Sequence, residues 1–182
     1  MSYKIPIFLS YPKPHLTLQE KFIQRVRDVL ENRGFMGRTL GVTDYDMVEP
    51  LTAIRRLMLE CNGVITIAFR RTLIETGAVK ANSEIKDEIV RLKDRWLTSP
   101  YCHIEPAMAF QIGLPVLIFR ENGVIEEGVL EKGILGTYLP EFNLNSNLDQ
   151  YFKNDEWNQI LGKWEGYVRT VVENKGKPPK LY

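Results

Sequence analysis

What this chain has little of narrows it first. Among 182 residues there are two cysteines and two histidines. Cys61 and Cys102 show no metal-type spacing, so both are read as reduced thiols and no metal site is expected. Long apolar runs are also lacking: the longest, over residues 63–69 and 113–119, fall far short of the roughly 20 residues that a membrane-spanning helix needs. Charge of one sign is missing too. With 24 Lys plus Arg against 23 Asp plus Glu, the net charge of +1 gives no strong field, so neither nucleic acid nor a membrane is an expected partner. No G-x-G-x-x-G turn or P-loop is present, which argues against dehydrogenases and NTPases. The start, MSYKIPIF, has no apolar signal core or cleavage site, and a cytoplasmic protein is expected.

What is there suits one domain. Hydrophobic residues make up 44% of the chain, enough to bury a substantial core at this length. Short apolar runs rich in β-branched and aromatic residues predict strands at 5–10, 35–42, 63–70, 115–119 and 137–142. Between them lie helical patterns. Thr17 and Glu20 have capping-box spacing ahead of Leu18, Phe22, Val26, Val29 and Leu30, and Gly34 closes that helix. Pro50 fits the first turn of a second helix with an apolar stripe of Leu51, Ile54, Met58 and Cys61. Residues 107–112 form a short helix closed by Gly113, and 155–173 carry Trp157, Ile160, Leu161, Trp164, Val168 and Val171 at helical spacing. Strands alternating with amphipathic helices predict an α/β fold of the flavodoxin-like, doubly wound class, with a parallel sheet of about five strands and helices on both faces. Ligands of such sheets bind beyond the carboxyl ends of the strands. Ser10, Tyr11, the 44–46 loop, Arg70 and Arg120 all follow strands, so they are expected to share one rim.

Two segments fall outside that alternation. Residues 72–96 form a long charged insertion in which Ile85, Ile89, Leu92 and Trp96 sit at helical spacing, as on a surface helix or a lid. The tail 175–182, with two prolines and three lysines, reads as a solvated end.

The most informative stretch is Ser99-Pro-Tyr-Cys-His-Ile-Glu105. Pro106 favours a helix beginning near Glu105, where the free amides and the dipole would hold the carboxylate ionised. The order Ser, aromatic, Cys, then Glu resembles the catalytic segment of TIR domains, Ser-x-Trp-Cys-x-x-Glu, with Tyr101 in place of the Trp. Ile5 to Tyr11 (IPIFLSY) resembles the first strand of the same family, and the likeness runs over roughly residues 5–142. It implies an NAD-cleaving enzyme of the hydrolase class with Glu105 as catalyst and NAD as substrate rather than cofactor. The expected contacts of that nucleotide are Ser10, Tyr11, Lys13, Asp46, Arg70, Ser99, Tyr101 and Cys102, with Tyr11 and Lys13 chosen for their place after the first strand and Arg70 as a bidentate partner for a pyrophosphate. Asp44, Tyr45 and Asp46 would take part in self-association. The nearest kinds are standalone bacterial TIR proteins of antiphage defence, such as Thoeris or cyclic-oligonucleotide systems, whose product acts on a separate effector. Pro12 and Pro14 depart from the family's loop after the first strand. His15 and His103 read as surface residues, with no nucleophile or acid assignable to either. The alternatives are a nucleoside deoxyribosyltransferase-like enzyme, a non-catalytic TIR adaptor and a nucleotide-binding module.

Overall fold

The computed structural model describes residues 3–85 and 88–174. The tail 175–182 lies outside them. The chain builds β1 (Ile5–Ser10), α1 (Thr17–Asn32), β2 (Phe35–Arg38), α2 (Pro50–Leu59) and β3 (Val64–Ala68). It continues with β4 (Thr72–Val79), β5 (Val90–Leu97), α3 (Tyr101–Gln111), β6 (Val116–Arg120), β7 (Thr137–Tyr138), α4 (Leu148–Lys153) and α5 (Asp155–Glu173). One sheet runs in the order β2-β1-β3-β6-β7 with every pairing parallel, which is the doubly wound, flavodoxin-like arrangement expected.

Alternation along the central strands divides the core in two. Ile7, Leu9, Ile65, Ile67, Leu117 and Phe119 face α1, α4 and α5, where Phe22 stacks on Phe142 at 4.1 Å between ring centres. Phe8, Val64, Ala68, Val116 and Ile118 face α2 and α3. The chain must pass very close to α5 just before β3. A Cβ on Gly63 would stand 2.7 Å from Val168 Cγ2 and 3.0 Å from Trp164 Cζ2. Gly63→Ala should therefore cost about 1–3 kcal/mol through overpacking, read as a lower urea midpoint at unchanged m-value. An unshifted midpoint would mean that α5 does not press on this turn.

Several local expectations are corrected. Gln19, not Thr17 and Glu20, caps α1: its Oε1 accepts from the amides of His15 (2.9 Å) and Leu16 (3.3 Å). Thr17 is already the first helical residue, one position too late to cap. Leu51 is 48% exposed, and Ala53 and Leu57 complete the buried stripe of α2 instead. β2 ends at Arg38 and β7 at Tyr138, both shorter than the sequence suggested.

The largest correction concerns 72–96, which is no helix. β4 and β5 form a two-stranded antiparallel ribbon, and Ile85 and Ile89 lie 72% and 45% exposed beyond its strands. The register skips the level at which Glu75 would oppose Asp94, and Asp94 turns to φ 51° there. Like charges placed directly opposite destabilise a ladder, so the break falls where it is least costly. Trp96 anchors the ribbon's base. Its amide donates to Gly123 O (3.0 Å), its carbonyl accepts from the Ile125 amide (2.8 Å), and its ring packs on the α2/α3 side of the core beneath Arg70. The residues proposed as a lid stripe thus include a fixed anchor and an exposed tip.

Candidate functional site

α3 begins at Tyr101, four residues before Glu105. The proline that starts it is Pro100, whose carbonyl accepts from His103 and Ile104, while Ser99 Oγ accepts from the Tyr101 amide at 3.3 Å. Pro106 instead lies inside the helix and has no amide to offer the Cys102 carbonyl. Glu105 is consequently a mid-helix residue beyond the reach of the first-turn amides, which corrects the expectation of a dipole-stabilised carboxylate.

Its environment works in the opposite direction. Glu105 is 8% exposed and, among the described residues, forms no ion pair. Burial pushes its carboxyl from the ordinary 4.5 up to about 7, and Ser10 opposes part of that shift. Ser10 ends β1 at 1% exposure and sits in register with Thr66 of β3, which is fully buried. Both side chains point to the α3 face, since Phe8 and Val64, two residues earlier, belong to that half of the core. Neither hydroxyl makes a hydrogen bond of ordinary geometry. Two buried hydroxyls without partners of ordinary geometry, on the sheet face that α3 covers, are costly for folding alone, which makes this face the candidate site. Thr66 was not singled out from sequence, although a lone hydroxyl inside the apolar run Val64–Ala68 is its signal.

Cys102 belongs to this cluster as packing. It is fully buried, takes a 3.6 Å contact from Thr98 Oγ1, and its thiol is pushed up to about 12 by burial, so it holds no thiolate to attack with. Cys61 is raised to about 12 for the same reason.

Of the other expected substrate contacts, Tyr11, Asp46 and Arg70 hold internal partners, while Lys13 and Tyr101 are exposed. Tyr11 packs against the α1 side of the core and its hydroxyl accepts from Arg27 Nη2 at 3.2 Å. Lys13 is exposed in the loop after β1. Asp46 accepts from the Val48 amide (3.2 Å) and Arg56 (3.4 Å), pinning its own loop rather than capping α2. Arg70 donates Nε to Asn122 O at 2.6 Å and stands 5.9 Å above the Trp96 ring. Arg120 is buried and binds Val124 O, Glu126 and Glu141. Tyr101 is 41% exposed on α3. The end of β1 and the first turns of α3 therefore bring Ser10, Cys102 and Glu105 together, with Thr66 in register beside Ser10, and Tyr11, Arg70 and Arg120, expected on one rim, are held in internal ties.

Two cavities flank α3. One of about 580 Å³ lies against α2 and is lined by Met58, Ile104 and Met108 among others; a second of about 510 Å³ is lined by Leu97, Pro100, His103, Ile104 and Glu127. Burial lowers the His103 pKa. Among the described residues no helix is long and apolar enough to cross a membrane, and no three His, Cys, Asp or Glu side chains converge as metal ligands.

No protein-family model and no curated protein matches the sequence. Solved structures similar to it include a diflavin flavoprotein A3 from Nostoc sp., at 14% identity and a TM-score of 0.48, covering 94% of this chain and 99% of that one. Another is the CMP N-glycosidase BcmB of Clostridium botulinum (13% identity, TM-score 0.39, covering 92% and 98%). A third is the TIR domain of the activated Roq1 resistosome (11% identity, TM-score 0.38, covering 96% and 76%). At these identities the likeness concerns the fold alone, a doubly wound α/β sheet.

Proposed function

We propose that the protein hydrolyses the bond between nicotinamide and ribose in NAD, with Glu105 as the catalytic residue. The observation that carries this reading is a buried carboxyl on α3 that has no ion pair among the described residues and faces the buried Ser10 hydroxyl at the carboxyl end of β1. The resemblance of Ser99 to Glu105 to the TIR segment gives it a reaction.

In that reaction the C1′–N1 bond breaks with both electrons going to the pyridinium nitrogen, which leaves as neutral nicotinamide. The ribose is left oxocarbenium-like, and water adds at C1′ with loss of one proton, giving ADP-ribose. No acid is needed for the leaving group. A carboxylate fixed under the sugar stabilises charge that develops only in the transition state. Burial makes such a carboxylate effective, because few waters compete for the charge. The cationic pyridinium also draws the Glu105 pKa down on binding, so the substrate completes the ionisation that the empty site resists.

The pKa of about 7 favours a second reading as well. A half-protonated acid at neutral pH can protonate a neutral base as it departs, which is what a nucleoside deoxyribosyltransferase-like or nucleotide N-glycosidase reaction needs. The pH profile separates the two. If Glu105 acts as carboxylate on NAD, kcat/KM rises about tenfold per unit of pH below 7 and levels off above it. Acting as a general acid on a neutral base, it gives the mirror profile. The experiment is incubation of pure protein with NAD, and separately with CMP and deoxynucleosides, following released bases by chromatography. Nicotinamide release with the rising profile is expected. Base release from CMP or deoxynucleosides alone would replace the NAD reading with the second.

A further inference from the structure

The Arg70 guanidinium is tied down on one side only. Arg70 follows β3 by two residues, and Glu121 and Asn122 follow β6 directly, so they meet at the carboxyl ends of adjacent central strands, where doubly wound sheets place their ligands. Glu121 accepts from the Arg70 amide at 2.8 Å and stands 3.8 Å from Nε, which itself donates to Asn122 O. The group also lies 5.9 Å from the Trp96 ring and close against Gly123, where a Cβ would stand 3.0 Å from Nη2 and 3.4 Å from Nε. Gly123 holds a φ of +86°, and its carbonyl accepts from the Trp96 amide, so the ring and the turn are joined. These contacts take up the Nε side of the guanidinium. Among the described residues Nη1 and Nη2 make no hydrogen bond, and the side chain stays 33% exposed.

Arginines that only brace this fold are used up at that end. Arg27, Arg33, Arg38 and Arg120 each hydrogen-bond through both Nη1 and Nη2. Arg70 instead offers a planar fork whose orientation is already fixed, and a fork of that kind matches a pair of phosphate oxygens. It also stands on the half of the molecule that holds Glu105. Trp96, beside it, packs on the α2/α3 side of the core, and Thr98, two residues and at most roughly 7 Å further along, lies 3.6 Å from Cys102 Sγ. Cys102 and Glu105 share Ser10 as a neighbour.

We infer that Arg70 clamps the diphosphate bridge of a dinucleotide whose ribose lies at Glu105, and that it thereby selects NAD over a nicotinamide riboside that lacks phosphate. The inference takes its substrate from the NAD reading and adds a second, charged contact to it. Glu121, Asn122 and Gly123 act on the ligand only through Arg70. They are positioning residues: each lies on the Nε side and orients the fork without occupying it.

The test compares the whole protein with its R70Q and R71Q variants in two measurements. Nicotinamide release is followed from NAD and from nicotinamide riboside, and calorimetric titration with ADP-ribose and with adenosine reads binding without turnover. A charge-assisted bond accounts for on the order of 10- to 100-fold in binding. R70Q should therefore lower kcat/KM for NAD by that factor, mainly through KM, and weaken ADP-ribose alike, while nicotinamide riboside and adenosine are unaffected. R71Q, the same charge change on an exposed neighbour, should alter none of these values. R70K, which keeps the charge without the planar fork, should follow R70Q and takes its place if R70Q melts early. Equal losses in R70Q and R71Q, equal losses for NAD and the riboside, or ADP-ribose binding indifferent to Arg70 would overturn the inference while nicotinamide release still upheld the role of Glu105. If neither NAD nor the riboside is cleaved, yet ADP-ribose binds through Arg70, the reaction falls and the clamp stands; if ADP-ribose does not bind either, the clamp falls with it.

Discussion

Glu105→Gln should abolish NAD cleavage, by on the order of 10²-fold or more, while making the protein more stable above pH 7. The loss follows from removing a charge placed where cationic character develops, with the side chain's size kept. The gain follows from linkage. In the unfolded chain Glu105 ionises near its ordinary 4.5, and in the folded protein near 7. Between those values the folded state keeps a proton that the unfolded state has released, so rising pH favours unfolding, and the whole penalty is present above about 7. A shift of that size corresponds to about 3 kcal/mol for a group this buried, and Gln, which does not titrate, is free of it. In thermal melts the variant should match the wild type near pH 4.5 and exceed it by about 6–12 °C at pH 8. Unchanged turnover would move the catalyst elsewhere. Melting curves that stay parallel across pH would show that Glu105 is not a buried acid.

The largest loss of stability should come from Trp164→Ala. Trp164 is fully buried, its ring lies 6.0 Å from that of Phe35, and its indole donates to Pro115 O at 3.1 Å. Removing it should cost about 3–5 kcal/mol in urea unfolding, through lost burial and the cavity left between α5 and the sheet. Trp164→Phe should cost much less, because most of the packing is kept and Pro115 O still accepts from Val64 N at 2.9 Å. Both variants should turn over normally per folded molecule, since Trp164 and Glu105 lie on opposite faces of the sheet. A cost below about 1 kcal/mol for the alanine variant would mean that α5 is not the seal of this core.

The parallel sheet was readable because its strands are buried on both faces and appear as unbroken apolar runs, and α5 because its apolar residues from Trp157 to Val171 repeat at helical spacing over about four turns. The segment 72–96 was not readable, since Ile85, Ile89, Leu92 and Trp96 satisfy a helical period by coincidence. The alternation of Val90 and Leu92 with Arg91 and Lys93, together with the β-formers Thr72, Ile74 and Thr76, was the competing signal. At the site, the segment around Glu105 was visible, but its protonation was not. That depended on which of two prolines starts α3, and six residues moved the carboxyl from a helix end into the core. The contacts expected of Tyr11, Asp46 and Arg70 could not be checked in sequence, because each is settled by a partner distant along the chain or across a loop.

The ribbon leaves the fold and returns to it almost at one point: Arg71 donates its amide to Leu97 O at 3.0 Å across the two strand ends. A segment whose ends already touch adds no span that the surrounding chain must bridge, so the doubly wound sheet sees it as a side branch rather than a link. Outward from its Trp96 anchor, the branch can change length, charge or partner without altering the register of β3 against β6 or the seat of α3. Selection can thus retune what the protein meets at its surface independently of the groups buried around Glu105, and divergence among its kin should accumulate in the branch before the trunk.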